Sequence, residues 1–206
     1  MEPEKGSSNQ VTALDPDASL IRELKEKNDL KAFTMLMNKY KKPVINFCFR
    51  YCGNREDAED ISQDVFIKVY HNIKSYKGKS KFTTWLYRLT LNTCHNFKRH
   101  YIAERMDKMQ SIEPGPGEAK PSGYQIPQTG KDPEEVLLNK ELAGIIEKAI
   151  CHLSKNQRSV IILKDYQGRS YEEISEIMKM KQGTVKSTLA RGRLEVALKI
   201  KAYYQS

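Results

Sequence analysis

The chain has 206 residues, 39% of them hydrophobic and 30% charged, with a formal net charge of +9. That length holds one domain or two small ones, and the apolar content suffices for helical cores, which excludes a wholly disordered protein. No apolar run approaches the roughly 20 residues of a membrane span, and the polar opening MEPEKGSSNQ lacks a signal-peptide core, so a cytoplasmic protein without membrane insertion is expected.

Met1 to Asp17 reads as a flexible tail, rich in polar residues, Gly and Pro. From Ala18 the pattern turns helical: Leu20, Ile21 and Leu24, then Leu30, Phe33, Leu36, Met37 and Tyr40 recur at helical spacing. Asn28-Asp29 marks a break between the two. Pro43 suits the first turn of a further helix, with Val44, Phe47, Cys48 and Tyr51 as its apolar stripe and Cys52-Gly53-Asn54 as its stop. These residues read as core. The four cysteines, Cys48, Cys52, Cys94 and Cys151, form no CxxC pair. They are expected as free thiols, with neither a metal nor a cofactor.

The next stretch splits into two parts of opposite chemistry. Asn54 to Asp64 carries five acids, Glu56, Asp57, Glu59, Asp60 and Asp64, against the single base Arg55. A helix is predicted from Arg55, with Ile61, Val65, Val69 and Ile73 on its buried face and Asp60, Gln63, Asp64 and Lys68 pointing elsewhere. Lys68 to Tyr101 then holds eight bases and no acid, interleaved with Tyr70, Tyr76, Phe82, Trp85, Tyr87, Phe97 and Tyr101. Within it, Ser75 to Ser80 is a loop carrying Lys77 and Lys79, broken by Gly78. A helix begins near Lys81, with Leu86, Leu89, Thr90, Thr93 and Phe97 on its apolar face. Arg88, Asn92, His95 and Arg99 lie on another face. Such an acid-free row suits phosphates and base edges, and aromatic faces stack on unpaired bases. The acidic face beside it would repel nucleic acid and fits a protein partner better. The plainer reading of the same residues is a solvated charged helix followed by a basic loop with core aromatics.

Asp107 to Lys131 contains four prolines and four glycines with no periodicity, the composition of a flexible linker. Fully extended, it would span roughly 80 Å. Beyond it, helix starts recur: Asp132-Pro-Glu-Glu135, then Ser154 with Gln157, then Ser170 with Glu173. Gly168 closes the middle helix, and Tyr171, Ile174, Ile177 and Met178 point inward on the last short one. A turn at Lys179 to Gln182 leads into a further helix with Val185 and Leu189 inward. Short helix, tight turn and second helix with exposed bases make a helix-turn-helix, which leaves Thr184, Lys186, Ser187, Ala190, Arg191 and Arg193 free to meet a major groove. Lys179 to Lys201 is net +6 and Lys68 to Tyr101 net +8, so two basic surfaces are expected on an otherwise acidic chain.

Two stretches, EDISQDVFIKVY with SYKGKSKFTTWLYRLTLN and SYEEISEIMKMKQGTVKSTLARGR, closely resemble conserved regions two and four of a bacterial RNA polymerase sigma factor of the extracytoplasmic-function (ECF) group. The resemblance covers most of the chain. It implies an all-α fold of two small helical domains joined by a flexible linker, the second containing the helix-turn-helix. The bounds are 18–106 for region two, 107–131 for the linker and 132–206 for region four. It implies docking on the polymerase core through Asp60, Gln63 and Asp64. It implies recognition and melting of the minus-ten element by the loop and helix, with Tyr76 in the loop-aromatic position and Asn92 reading a base. Lys77, Lys79, Phe82, Trp85, Arg88, His95 and Arg99 belong to the same surface, Phe82 and Trp85 fitting a core role equally. The helix-turn-helix would read the minus-thirty-five element, although the small side chains of Thr188 and Ala190 depart from many relatives and leave the preferred DNA sequence open. The implied partners are the polymerase core, promoter DNA both duplex and melted, and an anti-sigma factor. A helix-turn-helix regulator with an amino-terminal sensing domain would explain residues 154 to 201 but not the acidic, basic and aromatic block. A nuclease would need clustered carboxylates or histidines, whereas His71, His95, His100 and His152 are scattered.

Overall fold

A computed structural model describes residues 15–109 and 133–205, with side chains described for 15–101 and 141–205. Every element among the described residues is helical. Helix α1 (Ala18–Lys27) ends where Asn28 adopts the left-handed conformation, φ 51°. Asp29 then caps α2 (Leu30–Cys52), its carboxylate accepting from the Lys31 amide at 2.7 Å. Gly53, at φ 92°, closes α2, its amide donating to Phe49 O at 2.8 Å. The Asn54 side chain caps α3 (Arg55–Asn72) through the Asp57 amide at 2.8 Å, with Glu56 and Asp57 in the first turn where acids suit the dipole. A 3₁₀ turn, Ile73–Ser75, and the loop lead to α4 (Phe82–Met109).

Two expectations from the amino-terminal part are corrected. Pro43 does not open a new helix but lies inside α2. A proline there removes a helical hydrogen bond at a cost of about 3 kcal/mol. Buried Tyr40, Val44 and Phe47 lie on either side of it, and each fully buried large side chain contributes about 1.5–3 kcal/mol, so the continuous buried stripe outweighs the break. Nor does the tail extend to Asp17. Asp15 and Asp17 are 6% and 1% exposed. The Asp15 carboxylate accepts from the Phe82 amide at 2.5 Å, and Asp17 accepts from Lys39 Nζ at 2.5 Å and from the Tyr40 hydroxyl. These contacts tie Asp15 and Asp17 to α2 and α4, which composition could not reveal; the rest of the expected tail lies outside the described residues. Burial and Asp17 hold the Tyr40 phenol above its ordinary value.

Of the linker expected over 107–131, residues 107–109 form the last turn of α4 and the rest lie outside the described residues. The second half comprises α5 (Pro133–Cys151), α6 (Lys155–Ile161), a π turn (Ile162–Tyr166), α7 (Tyr171–Met178) and α8 (Gln182–Tyr204). Of the three expected helix starts, the cap at Asp132 lies outside the described residues, and the other two form capping boxes: Gln157 and Glu173 reach back to the amides of Ser154 and Ser170 at 3.1 and 2.9 Å. Gly192 lets α8 approach α6, since a Cβ there would sit 3.0 Å from Ile161 Cδ1.

The two halves do not stand apart. Buried residues of both join one hydrophobic core, in which α4 packs on α7 and α2 on α5. The seam is polar as well. Arg50 pairs with Glu147 at 3.3 Å and lies over the Tyr166 ring, 3.7 Å from its centroid. Tyr87 donates to Gln167 Oε1 at 2.6 Å, and Gln167 Nε2 donates to Pro43 O at 3.4 Å. At its centre Arg158, 2% exposed, donates to Tyr51 O of the first half at 3.0 Å. It also donates to Ile150 O and Leu153 O, each at 3.1 Å, and to Cys151 O. All four cysteines are free. Cys48 Sγ lies 3.8 Å from Cys94 Sγ, and burial pushes the Cys52 thiol up to about 12, so it stays protonated.

Candidate nucleic-acid and polymerase interfaces

The first candidate surface lies on α3. Its period-four stripe is buried as expected, which leaves Asp60, Gln63 and Asp64 exposed. Beside them runs an apolar groove of about 530 Å³ between α2 and α3, walled by Leu30, Phe33, Met37, Phe66 and Tyr70, with Gln63 at its edge. Ile67, 55% exposed, also lines it. Sequence reasoning missed this groove. The available signal was Ile67 itself, an apolar residue outside the stripe of Ile61, Val65 and Val69. Lys68 does not join the acidic face but donates to Thr93 Oγ1 on α4 at 3.3 Å.

The second surface is the loop with α4. Lys77 and Lys79 are exposed and Trp85 partly buried, but Tyr76 and Phe82 are 2% and 1% exposed. The Tyr76 hydroxyl donates to Ser80 O at 2.6 Å, and its ring meets Phe82 edge to face at 5.9 Å between centroids. Its backbone carbonyl accepts from Lys25 Nζ at 2.9 Å. Both rings thus hold the loop to the core, because an aromatic cluster with a satisfied hydroxyl outcompetes exposure to water. An exposed loop aromatic at Tyr76 is not what the fold presents.

The α4 row is divided. Asn92 and Arg99 are exposed, whereas Arg88 and His95 are half-buried under the second half. Arg88 Nη2 donates to Glu176 O on α7 at 2.6 Å. Arg88 Nε and His95 Nε2 are buried side-chain nitrogens without a hydrogen-bond partner. The His95 ring lies 5.6 Å from that of Tyr51. Burial first, then the Lys155 and Arg158 cations, push the imidazole down from 6.5 to about 4. Lys98 and Arg99 of its own helix share the same cleft. Between those two values the unfolded chain binds a proton that the folded chain refuses, so stability should fall as pH drops through that window. Urea melts at pH 7 and pH 5 should show the loss in wild type and a smaller one in His95→Gln; equal slopes would remove His95 as its source.

The third surface is the helix-turn-helix of α7 and α8. Lys179, at φ 53°, makes the turn. Val185 and Leu189 are buried, and so is Thr188 at 5%, which takes that position out of any groove contact. Thr184, Lys186, Ser187, Ala190, Arg191 and Arg193 are all exposed. Arg193 is nevertheless not free: its Nε donates to Asp165 Oδ2 at 3.1 Å, with a second, shorter contact to the other oxygen. Folding brings the pair together, with Asp165 in the π turn before α7 and Arg193 on α8.

Comparison with known proteins matches two stretches of the chain to family models. Residues 36–101 match sigma-70 region 2 and residues 143–196 match sigma-70 region 4. The chain is 34% identical to the ECF RNA polymerase sigma-E factor of Haemophilus influenzae over 89% of its length and 95% of the relative's. It is 36% identical to the ECF RNA polymerase sigma factor SigW of Bacillus subtilis, covering 84% of this chain and 90% of the relative. Among solved structures it resembles the sigma factor RpoE of Bartonella quintana, crystallised with the anti-sigma factor NepR, at a TM-score of 0.64 and 24% identity over 83% of this chain and 98% of that one. The amino-terminal match covers the acidic, basic and aromatic block that a simple helix-turn-helix regulator leaves unexplained. With both regions in order along one chain, and relatives above 30% identical across nearly all of it, the protein belongs to the ECF RNA polymerase sigma factor family.

Proposed function

We propose that this sigma factor divides promoter work among its three surfaces. Asp60, Gln63 and Asp64, with the neighbouring apolar groove, dock on the polymerase core. Asn92, Arg99, Lys77 and Lys79, joined by Arg88, His95 and Trp85 once exposed, engage the melted minus-ten strand. Tyr76 and Phe82 support that loop from beneath. Lys186, Arg191, Thr184, Ser187 and Ala190 meet the minus-thirty-five duplex, and Arg193 joins them when released by Asp165. The observation that carries this reading is the segregation of charge by helix: acids exposed on α3, an acid-free row on α4, and exposed bases on α8. Phosphate neutralisation and protein docking call for opposite surfaces, and the chain keeps them apart. The site of action is the cytoplasm, where polymerase works, and among the described residues no helix is long and apolar enough to cross a membrane. An anti-sigma factor is a further proposed partner, supported by the complexes in which similar folds were crystallised.

Charge reversal at Asp60 and Asp64 tests the docking surface. The folded double variant should bind polymerase core about ten-fold more weakly, since a docking side chain is worth about 1–2 kcal/mol. Run-off transcription should fall in proportion. Unchanged core affinity, with helicity intact by circular dichroism, would move the docking surface elsewhere.

A further inference from the structure

The seam between the halves encloses a cleft of about 700 Å³, with α4 on one side and the α5–α6 turn on the other. Lys98 and Arg99 line it from the first half, Lys155 and Arg158 from the second, and no carboxylate is among its described lining residues. Arg158 is a fixed charge there, since the backbone carbonyls already take up most of its donors. Arg99 donates only a long bond to Asn96 Oδ1 at 3.4 Å, and Lys98, Arg99 and Lys155 face no carboxylate among the described lining residues. The partnerless Nε2 of His95 belongs to the same wall, beside the amides of Asn92 and Asn96. Gathering Lys98, Arg99 and Lys155 beside the Arg158 guanidinium with no carboxylate in the described lining is costly unless an anion shares the space. The volume falls within the range of small-ligand sites and has one wall from each half, which suits a compact anion rather than a duplex.

We propose that this cleft binds a small multivalent phosphoanion, of the class of pyrophosphate or a nucleoside polyphosphate, gripped by Lys98 and Arg99 from one half and Lys155 from the other. Neither Lys98 nor Lys155 has a part in the promoter contacts described above, and the binding needs neither DNA nor polymerase. The depressed values of His95 and Lys98, both owed first to burial and then to cations nearby, are what an anion in the cleft would reverse. Because the ligand touches both halves, it stabilises the seam. Because it occupies the wall that holds Asn92, His95 and Arg99, it competes with the melted strand. The cleft thereby couples a soluble anion to the availability of the minus-ten surface.

The experiment uses the full chain and inorganic pyrophosphate, followed by calorimetric titration and thermal unfolding in chloride buffer. Wild type should bind one equivalent saturably and melt on the order of 5–10 °C higher at a hundred-fold excess over Kd. Lys98→Ala with Lys155→Ala should weaken binding at least ten-fold while remaining folded by circular dichroism, and the distant Lys27→Ala should bind as wild type. His95, followed by NMR, should titrate at a higher pH with pyrophosphate than without. Three results would each overturn the proposal: no saturable binding up to about 1 mM, where affinity is already negligible for a dedicated site; binding that survives the double variant; or equal loss in Lys27→Ala. A fourth arm separates the phosphate source. If a short single-stranded oligonucleotide depends on Lys155 while pyrophosphate does not, the cleft is a nucleic-acid channel and the small-anion assignment falls.

Discussion

Replacing Arg158 with methionine should lower folding stability by about 3–5 kcal/mol, the largest single-residue effect expected in the second half. The reason lies in what the guanidinium touches. Tyr51 sits in the last turn of α2 and Ile150 and Cys151 in that of α5, with Leu153 just beyond. Carbonyls at a helix end have no intrahelical partner, and each helix end carries roughly half a negative charge. Two such ends meeting at one guanidinium neutralise about one positive charge, so Arg158 can be buried with no carboxylate bonded to it. Methionine fills much of the volume but leaves four carbonyls without their donor, at about 1–3 kcal/mol for each that stays dry. Lysine should not rescue the loss, because a point charge cannot fork across both helix ends. Urea unfolding measures the stability, and small-angle scattering of the folded fraction should show the halves separating. A loss below about 1 kcal/mol would mean that Arg158 is not the bridge.

The second large effect concerns duplex DNA. Lys186→Ala with Arg191→Ala should weaken binding to a minus-thirty-five duplex by about 1–3 kcal/mol for each side chain that reaches a base edge. For each that contacts only phosphate, the salt dependence should flatten instead. Both residues are exposed on α8, and neither supports the core formed by Val185 and Leu189, so the variant should fold normally. Asn92→Ala supplies the contrast. It should spare duplex affinity and impair strand opening, read by permanganate reactivity of promoter thymines, since holding one unpaired base is worth about 1–3 kcal/mol. A template already melted across the minus-ten region should relieve the opening part of that defect and leave the Lys186/Arg191 defect in place. Tyr76 is a poor site for this test: truncating a side chain 2% exposed would disturb the loop whatever its role on DNA. If both variants lose duplex binding alike and neither alters opening, the division between a melting half and a reading half is wrong.

The break at Asn28-Asp29, the caps at Ser154 and Ser170, the stop at Gly53 and the inward stripes of α3 and α8 were all legible along the chain. So were the three charged faces and the family. Each depends on residues within a turn or two of one another, where spacing alone dictates what a side chain faces. What the sequence hid are contacts between residues far apart. Asp15 looks like part of a polar tail until it meets the Phe82 amide, 67 residues away. Pro43 looks like a helix start until core on both sides shows that breaking α2 would cost more than one lost hydrogen bond. Tyr76 looks available until Asp15, 61 residues earlier, comes within 3.5 Å of its hydroxyl, and Arg193 until Asp165, 28 residues earlier, claims it, while 107 residues separate Arg158 from Tyr51. Periodicity specifies which face of each helix is apolar, but not which helix will cover it. The closure of the two halves, and with it the covering of Arg88 and His95 and the cationic cleft at the seam, is therefore a decision of tertiary packing, where burial and satisfied polar groups are settled jointly by segments that have no local information about one another.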